Sequence, residues 1–114
     1  MTPGELHLAD FPFGGTVGSK TRPVLALTGL LGPVPEVLVA YITSIVPVTL
    51  LPTDIVLDPS VPEHMGTNLK GLSLLRLHKL ATVHKSDVVR YLGKISPRTW
   101  AEVQLKLRLL LNLP

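Results

Sequence analysis

Eleven prolines and nine glycines punctuate a 114-residue chain, and most of them fall between short apolar runs. Proline has no N–H for a ladder and breaks a helix interior, and glycine weakens both kinds of element. Punctuation of this kind is that of an all-β core, with short strands joined by tight turns. The runs it delimits predict strands over 4–11, 22–28, 36–43 and 54–58, with a turn-rich connector at 29–35 and a long polar loop at 59–70. The run 36–43 is apolar on both faces, which predicts a central strand. A fifth strand is expected over 72–78, continuing over 79–83 after a bend. A short helical turn over 85–90 and a short strand over 91–95 complete the β part. The period then changes from two to about 3.6. Ser96 is a candidate N-cap, Pro97 takes the first helical position, and Trp100, Val103, Leu107 and Leu110 recur on one face. That helix should lay its stripe on the sheet, with Trp100 in the core.

The length suits one domain, 1–114, and a single core. With no cysteine, disulfides and thiolate metal sites are excluded, and 46% hydrophobic residues against 17% charged argue against disorder. A net charge of +3 is compatible with a nucleic-acid or acidic partner without demanding one. No basic segment leads into an apolar one at the start, so no secretory signal is expected. The uncharged stretch 37–53 is slightly short of the roughly 20 residues a spanning helix needs. It holds two prolines and many β-branched residues, so it reads as buried strands broken by a turn. A soluble cytoplasmic protein without membrane contact is expected.

The segment Phe11-Pro12-Phe13-Gly14-Gly15-Thr16-Val17-Gly18-Ser19-Lys20-Thr21-Arg22-Pro23 is a glycine-rich loop that runs into an apolar strand. A polymer can approach such a backbone closely. Pro23 restricts Arg22 to an extended conformation, which fixes a permanent cation where loop becomes strand. The arrangement fits a phosphate site or a hairpin loop with a surface arginine, and spacing alone leaves both open. Further along, period two places Leu75 and Leu77 on one face and Arg76 with His78 on the other. His7, expected to face outward, His64 and His84 lack paired spacing, so no metal site is expected. Lys79, Lys85, Arg90 and Lys94 form a cationic set of the kind that is usually a solvated face.

Four blocks, in order, resemble the MazF/PemK family of type II toxin–antitoxin toxins. They are Gly4-Glu5-Leu6-His7-Leu8-Ala9-Asp10-Phe11-Pro12-Phe13, then Gly18-Ser19-Lys20-Thr21-Arg22-Pro23-Val24-Leu25, and Ala40-Tyr41-Ile42-Thr43-Ser44. The fourth is Gly71-Leu72-Ser73-Leu74-Leu75-Arg76-Leu77-His78-Lys79-Leu80-Ala81-Thr82, followed by Lys85-Ser86 and Leu92-Gly93-Lys94-Ile95-Ser96. The resemblance spans essentially the whole chain. It implies a mainly β fold: a small SH3-like β-barrel with short helices and a C-terminal helix, assembled as a homodimer. It also implies a metal-independent endoribonuclease without cofactor, acting on single-stranded RNA. The implied protein partner is a cognate antitoxin, with DNA reached only through it.

Such cleavage uses the substrate's own 2′-OH as nucleophile, so no Ser/His/Asp triad is required. The enzyme must remove that proton, stabilise the phosphorane and protonate the leaving 5′-oxygen. By resemblance Arg22 and Thr43 are catalytic, the first at the phosphate oxygens and the second through its hydroxyl. Arg76 matches a catalytic arginine of some relatives. His78 stands where those relatives carry an aspartate base, and imidazole is competent in that role. Ser19, Lys20, Ser44, Lys79 and Thr82 are the implied RNA contacts. An Arg-Thr pair common in the family reads Ala81-Thr82 here, one cation fewer. A second reading stays open: a member that keeps the fold as an RNA- or protein-binding module without catalysis.

Overall fold

The computed structural model of the chain describes residues 1–11 and 20–114, with Phe11 and Lys20 described by their backbone alone. Its six strands are β1 (Glu5–Phe11), β2 (Lys20–Ala26), β3 (Glu36–Thr43), β4 (Asp54–Leu57), β5 (Ser73–His84) and β6 (Val88–Lys94). They form one antiparallel sheet in the order β4-β5-β3-β2-β1-β6. The run apolar on both faces, β3, lies inside the sheet as expected, flanked by β2 and β5. Helix α1 (Pro97–Leu111) starts where the sequence signals it: Ser96 accepts a hydrogen bond from the Thr99 N–H at 3.1 Å, and Pro97 follows. It stops at Asn112, whose φ of 55° is left-handed, a conformation asparagine tolerates well.

Period two divides the sheet into two faces. The main core gathers Leu6, Leu25, Ile42, Ile55, Leu57, Leu75 and Leu77 with Val103 of α1, and Trp100, Leu107 and Leu110 of the helix pack against it. A smaller cluster on the other face holds Ala9, Val24, Ala26, Val37, Val39 and Val83. The expected bend in β5 is a bulge. Between Ala40↔Leu80 and Tyr41↔Arg76, β3 advances one residue while β5 advances four. Bulges strengthen local twist, and two further register shifts on β1 and β6 act in the same sense.

The expected barrel differs in one respect, because the sheet is not closed. Edge strands β4 and β6 share no ladder. The 3₁₀ helix Pro62–Thr67, in the stretch expected to be a polar loop, bridges that gap. Asn68 Nδ2 donates to the Leu92 carbonyl at 2.7 Å, and Gly93 lies so close to Gly66 and Thr67 that a Cβ there would clash with their backbone. The apolar stretch 37–53 also differs from expectation. Only its first part is strand; Ile45, Val48, Leu50 and Leu51 lie exposed in a loop. Pro47 and Pro52 cannot donate to a ladder, which keeps this part out of the sheet. His7 is buried rather than outward. It bonds the Glu5 carboxylate at 3.1 Å and meets the Tyr91 ring edge to face, because β6 pairs alongside β1 and supplies that ring. No helix among the described residues is long and apolar enough to cross a membrane.

Candidate active site

Arg22 occupies the point where two strands part. The β2–β3 ladder runs from Ala26↔Val39 to Val24↔Tyr41 and stops. The next residue of β2 is Pro23, which has no N–H to extend it. Beyond that point the strands separate into a groove of about 730 Å³. Thr21, Arg22 and Pro23 form one wall, Ser44 and Ile45 the second, and the segment around Asn68 and Lys70, with Arg90, the third. Three of these residues are cationic, so the groove favours a polyanion.

A second set crosses the outer face of the sheet. Arg22 Nη1 donates to the Tyr41 hydroxyl at 2.9 Å, and its guanidinium carbon lies 5.6 Å from the ring centroid. The bulge in β5 brings Lys79 over the same ring, with Nζ 5.3 Å from the centroid. Tyr41 is the direct cross-strand partner of Arg76, and Arg76 is that of Asp54. Arg22, Tyr41, Arg76 and Asp54 therefore stand in a row over β2, β3, β5 and β4, with Arg22 shared between row and groove.

Arg76 and Asp54 form a two-pronged ion pair. Arg76 Nε donates to Oδ1 and Nη2 to Oδ2, each at 3.2 Å, and the Leu51 N–H adds a bond to Oδ2 at 2.8 Å. Burial would raise the Asp54 pKa, but the Arg76 hydrogen bonds, the Leu51 N–H and the charges of Arg76 and His78 together hold it below its ordinary value. Arg22 has no such counter-ion among the described residues. Its Nε is buried without a hydrogen-bond partner among them, a donor left unmatched at the lip of the groove.

The structure brings the implied catalytic residues together unevenly. Arg22 and Arg76 share the row. Thr43 is buried at the end of β3, where its Oγ1 accepts from the Ile45 N–H at 3.1 Å and its O–H remains a donor. His78 is exposed in the β5 bulge, between Arg76 and Lys79. Ser44 lines the groove and Lys79 lies over Tyr41. Thr82 pairs with Leu38, three residues along β3 from Tyr41 and on the opposite face, about 10 Å away at strand spacing. Ser19 lies outside the described residues, as does the Lys20 side chain.

Tyr41, Asp54 and the Asn68–Lys70 wall are the parts that reading the sequence for sites did not single out. Asp54 carried one signal, as the carboxylate that ends a long uncharged stretch at the start of a strand. Tyr41 stands inside the block that carries the resemblance but has no sequence spacing to Arg22 that would flag it.

The family described as PemK-like, MazF-like toxin of type II toxin–antitoxin system matches residues 2–111. No curated protein matches the chain by sequence. Among solved structures, the Mycobacterium tuberculosis toxin MazF-mt6 superposes with a TM-score of 0.73 at 23% identity, over 96% of this chain and 98% of that one. An endoribonuclease in complex with its cognate antitoxin, from a mycobacterial species, gives 0.70 at 21% identity, over 100% and 97%. A mycobacterial endoribonuclease gives 0.68 at 20%, over 100% and 93%. At these identities the likeness concerns the fold, an open six-strand sheet with a C-terminal helix. The family match over nearly the whole chain goes further: this chain belongs to the PemK-like, MazF-like toxins of type II toxin–antitoxin systems.

Proposed function

We propose that the chain is a single-domain toxin that cleaves single-stranded RNA endonucleolytically. One observation carries the reading. Arg22 sits at the lip of a cationic groove, oriented by Tyr41, with its Nε unmatched among the described residues. A guanidinium so held offers a planar fork to phosphate oxygens and gains most as negative charge builds on them. Two mycobacterial proteins of this fold are themselves described as endoribonucleases, one of them bound to its cognate antitoxin.

In the proposed reaction the 2′-oxygen bonds to the adjacent phosphorus and the P–O5′ bond breaks. The products are a 2′,3′-cyclic phosphate and a 5′-hydroxyl. Arg22 stabilises the phosphorane, aided by the Thr43 hydroxyl and by Arg76. His78 takes the 2′-OH proton, and Arg22, still charged, donates a hydrogen bond to the leaving 5′-oxygen, which takes its proton from water. Ser19, Lys20, Ser44 and Lys79 hold the flanking strand, and Arg90 and Lys70 add charge on the far wall. The chemistry asks for no metal. A homodimer in the cytoplasm, silenced by a cognate antitoxin, is the setting we propose, with DNA contacted only through that antitoxin. Replacing the 2′-OH at the cleavage site by hydrogen tests the chemistry. Cleavage should stop at the substituted linkage alone, and cleavage that continues there would refute 2′-OH attack.

A further inference from the structure

Asp54 is the most sequestered charge among the ion pairs of the described residues. Its side chain is 0% exposed, against 18% for Arg76. A carboxylate withdrawn from water on an edge strand is costly unless it is paired and hydrogen-bonded. Here the two Arg76 nitrogens and the Leu51 N–H give it three donors, one on Oδ1 and two on Oδ2, and Lys106 of α1 donates to the Asp54 backbone carbonyl at 2.9 Å. Lys106 is itself paired with Glu102, one helical turn back, at 3.0 Å. The first residue of β4 is thus fixed from three directions: the loop before it, the neighbouring strand and the helix.

The geometry of the pair decides which face of the guanidinium stays available. Asp54 takes Nε and Nη2, a side-on grip. Nη1 makes no hydrogen bond among the described residues. A guanidinium held by two of its nitrogens cannot swing, and lysine could not reproduce the grip.

We infer that Asp54 is a positioning residue, which locks Arg76 side-on so that Nη1 is the nitrogen offered to a phosphodiester. This rests on the endoribonuclease reading, and it divides the labour of the two arginines. Arg22 carries unneutralised charge to the phosphate, while Arg76 is an anchored, largely neutralised guide. Misplacing a positioned group by even 1 Å costs orders of magnitude in rate, so the lock should be visible in kcat.

The test compares wild type, Asp54→Asn, Asp54→Ala, Arg76→Ala and the double variant Asp54→Ala/Arg76→Ala on a single-stranded RNA oligonucleotide, below each variant's melting transition. Asp54→Asn should lower kcat about tenfold with KM within twofold, the signature of an interaction that matters in the transition state. The pH–rate profile should keep its shape and lose height. In the Arg76→Ala background, removing Asp54 should cost nothing further. Independently of cleavage, the Arg76 Nε–H resonance in nitrogen-15 NMR should exchange slowly in wild type and quickly in Asp54→Asn. The inference is overturned if kcat is unchanged in Asp54→Asn, or if the loss follows only the unfolded fraction. It is also overturned if a limb of the pH profile disappears, which would put Asp54 at the reacting atoms. Should wild type cleave no RNA, the endoribonuclease reading fails, and the Nε–H measurement still decides the lock.

Discussion

Arg22 and Tyr41 are held together twice, by a hydrogen bond of 2.9 Å from Nη1 to the phenol oxygen and by the guanidinium lying 5.6 Å from the ring centroid. The pair forms where the β2–β3 ladder ends, so backbone hydrogen bonds position Tyr41 on one side and Pro23 stiffens Arg22 on the other. An arginine pinned this way needs little reorganisation to meet a charge that develops in the groove.

Tyr41→Phe keeps the ring beneath Arg22 and Lys79 and removes only the hydroxyl. A hydrogen bond of this kind contributes about 1 kcal/mol, which is about fivefold in rate if it serves orientation. The expected result is a kcat about five times lower, with a melting temperature within a few degrees of wild type. An unchanged kcat would show that Tyr41 does not orient Arg22.

Among the groups that should make stability depend on pH are two carboxylates with ion-pair partners. Asp54 and Glu5 are both held below their ordinary pKa values of 3.8 and 4.5. For each, burial pulls the other way and is outweighed: at Asp54 by Arg76 and the Leu51 N–H, at Glu5 by the His7 hydrogen bond and the Thr2 N–H. The unfolded chain therefore binds more protons at low pH, so this stability is present above the ordinary values and is lost as pH falls through the lowered ones. Melting temperature should be level with respect to these two groups from pH 6 to 8 and decline below about pH 4.5. Asp54→Asn should flatten part of that decline, and thermal unfolding followed by circular dichroism across pH 3 to 8 measures it.

Much of this was legible in the sequence. The β3 run matches its strand residue for residue, and the Ser96-Pro97 start and leucine stripe gave α1, because capping and periodicity are local. Arg22-Pro23 was legible as a fixed cation for the same reason. The Asp54–Arg76 pair was not, since the two residues lie 22 apart and meet only through strand register. The outward turn of Ile45, Val48, Leu50 and Leu51 was misread because apolar composition argues for burial, whereas Pro47 and Pro52 decide that no ladder can form there. The 3₁₀ helix packed on β6, beside a sheet that stays open, depends on a contact between Gly93 and Gly66 that leaves no periodic trace.

That contact gives a stability prediction. A Cβ at Gly93 would overlap backbone atoms of Gly66 and Thr67, which cannot move aside like a side chain. Gly93→Ala should push Pro62–Thr67 off β6 and cost about 2 kcal/mol, the usual range for overpacking. For a domain of this size that lowers the melting temperature by about 8 °C. Gly71→Ala, where nothing lies within 4 Å of the added atom, is the matched control and should leave the melting temperature nearly unchanged. Equal effects at both sites would show that the 3₁₀ helix does not bridge the sheet as described.

The central claim is that Arg22 at the lip of the groove makes this chain an RNA-cleaving enzyme. Its most direct test is to incubate wild type and Arg22→Ala with a long single-stranded RNA, without added metal, and to map the fragments. Loss of a charge-assisted contact to the reacting phosphate should lower the rate about 100-fold or more. Because Arg22 belongs to neither hydrophobic cluster, the variant should melt within a few degrees of wild type. Discrete fragments ending in a cyclic phosphate with wild type, and intact RNA with a folded Arg22→Ala, are the results this account predicts. Fragmentation at the same rate by both proteins, or intact RNA with both, would contradict it.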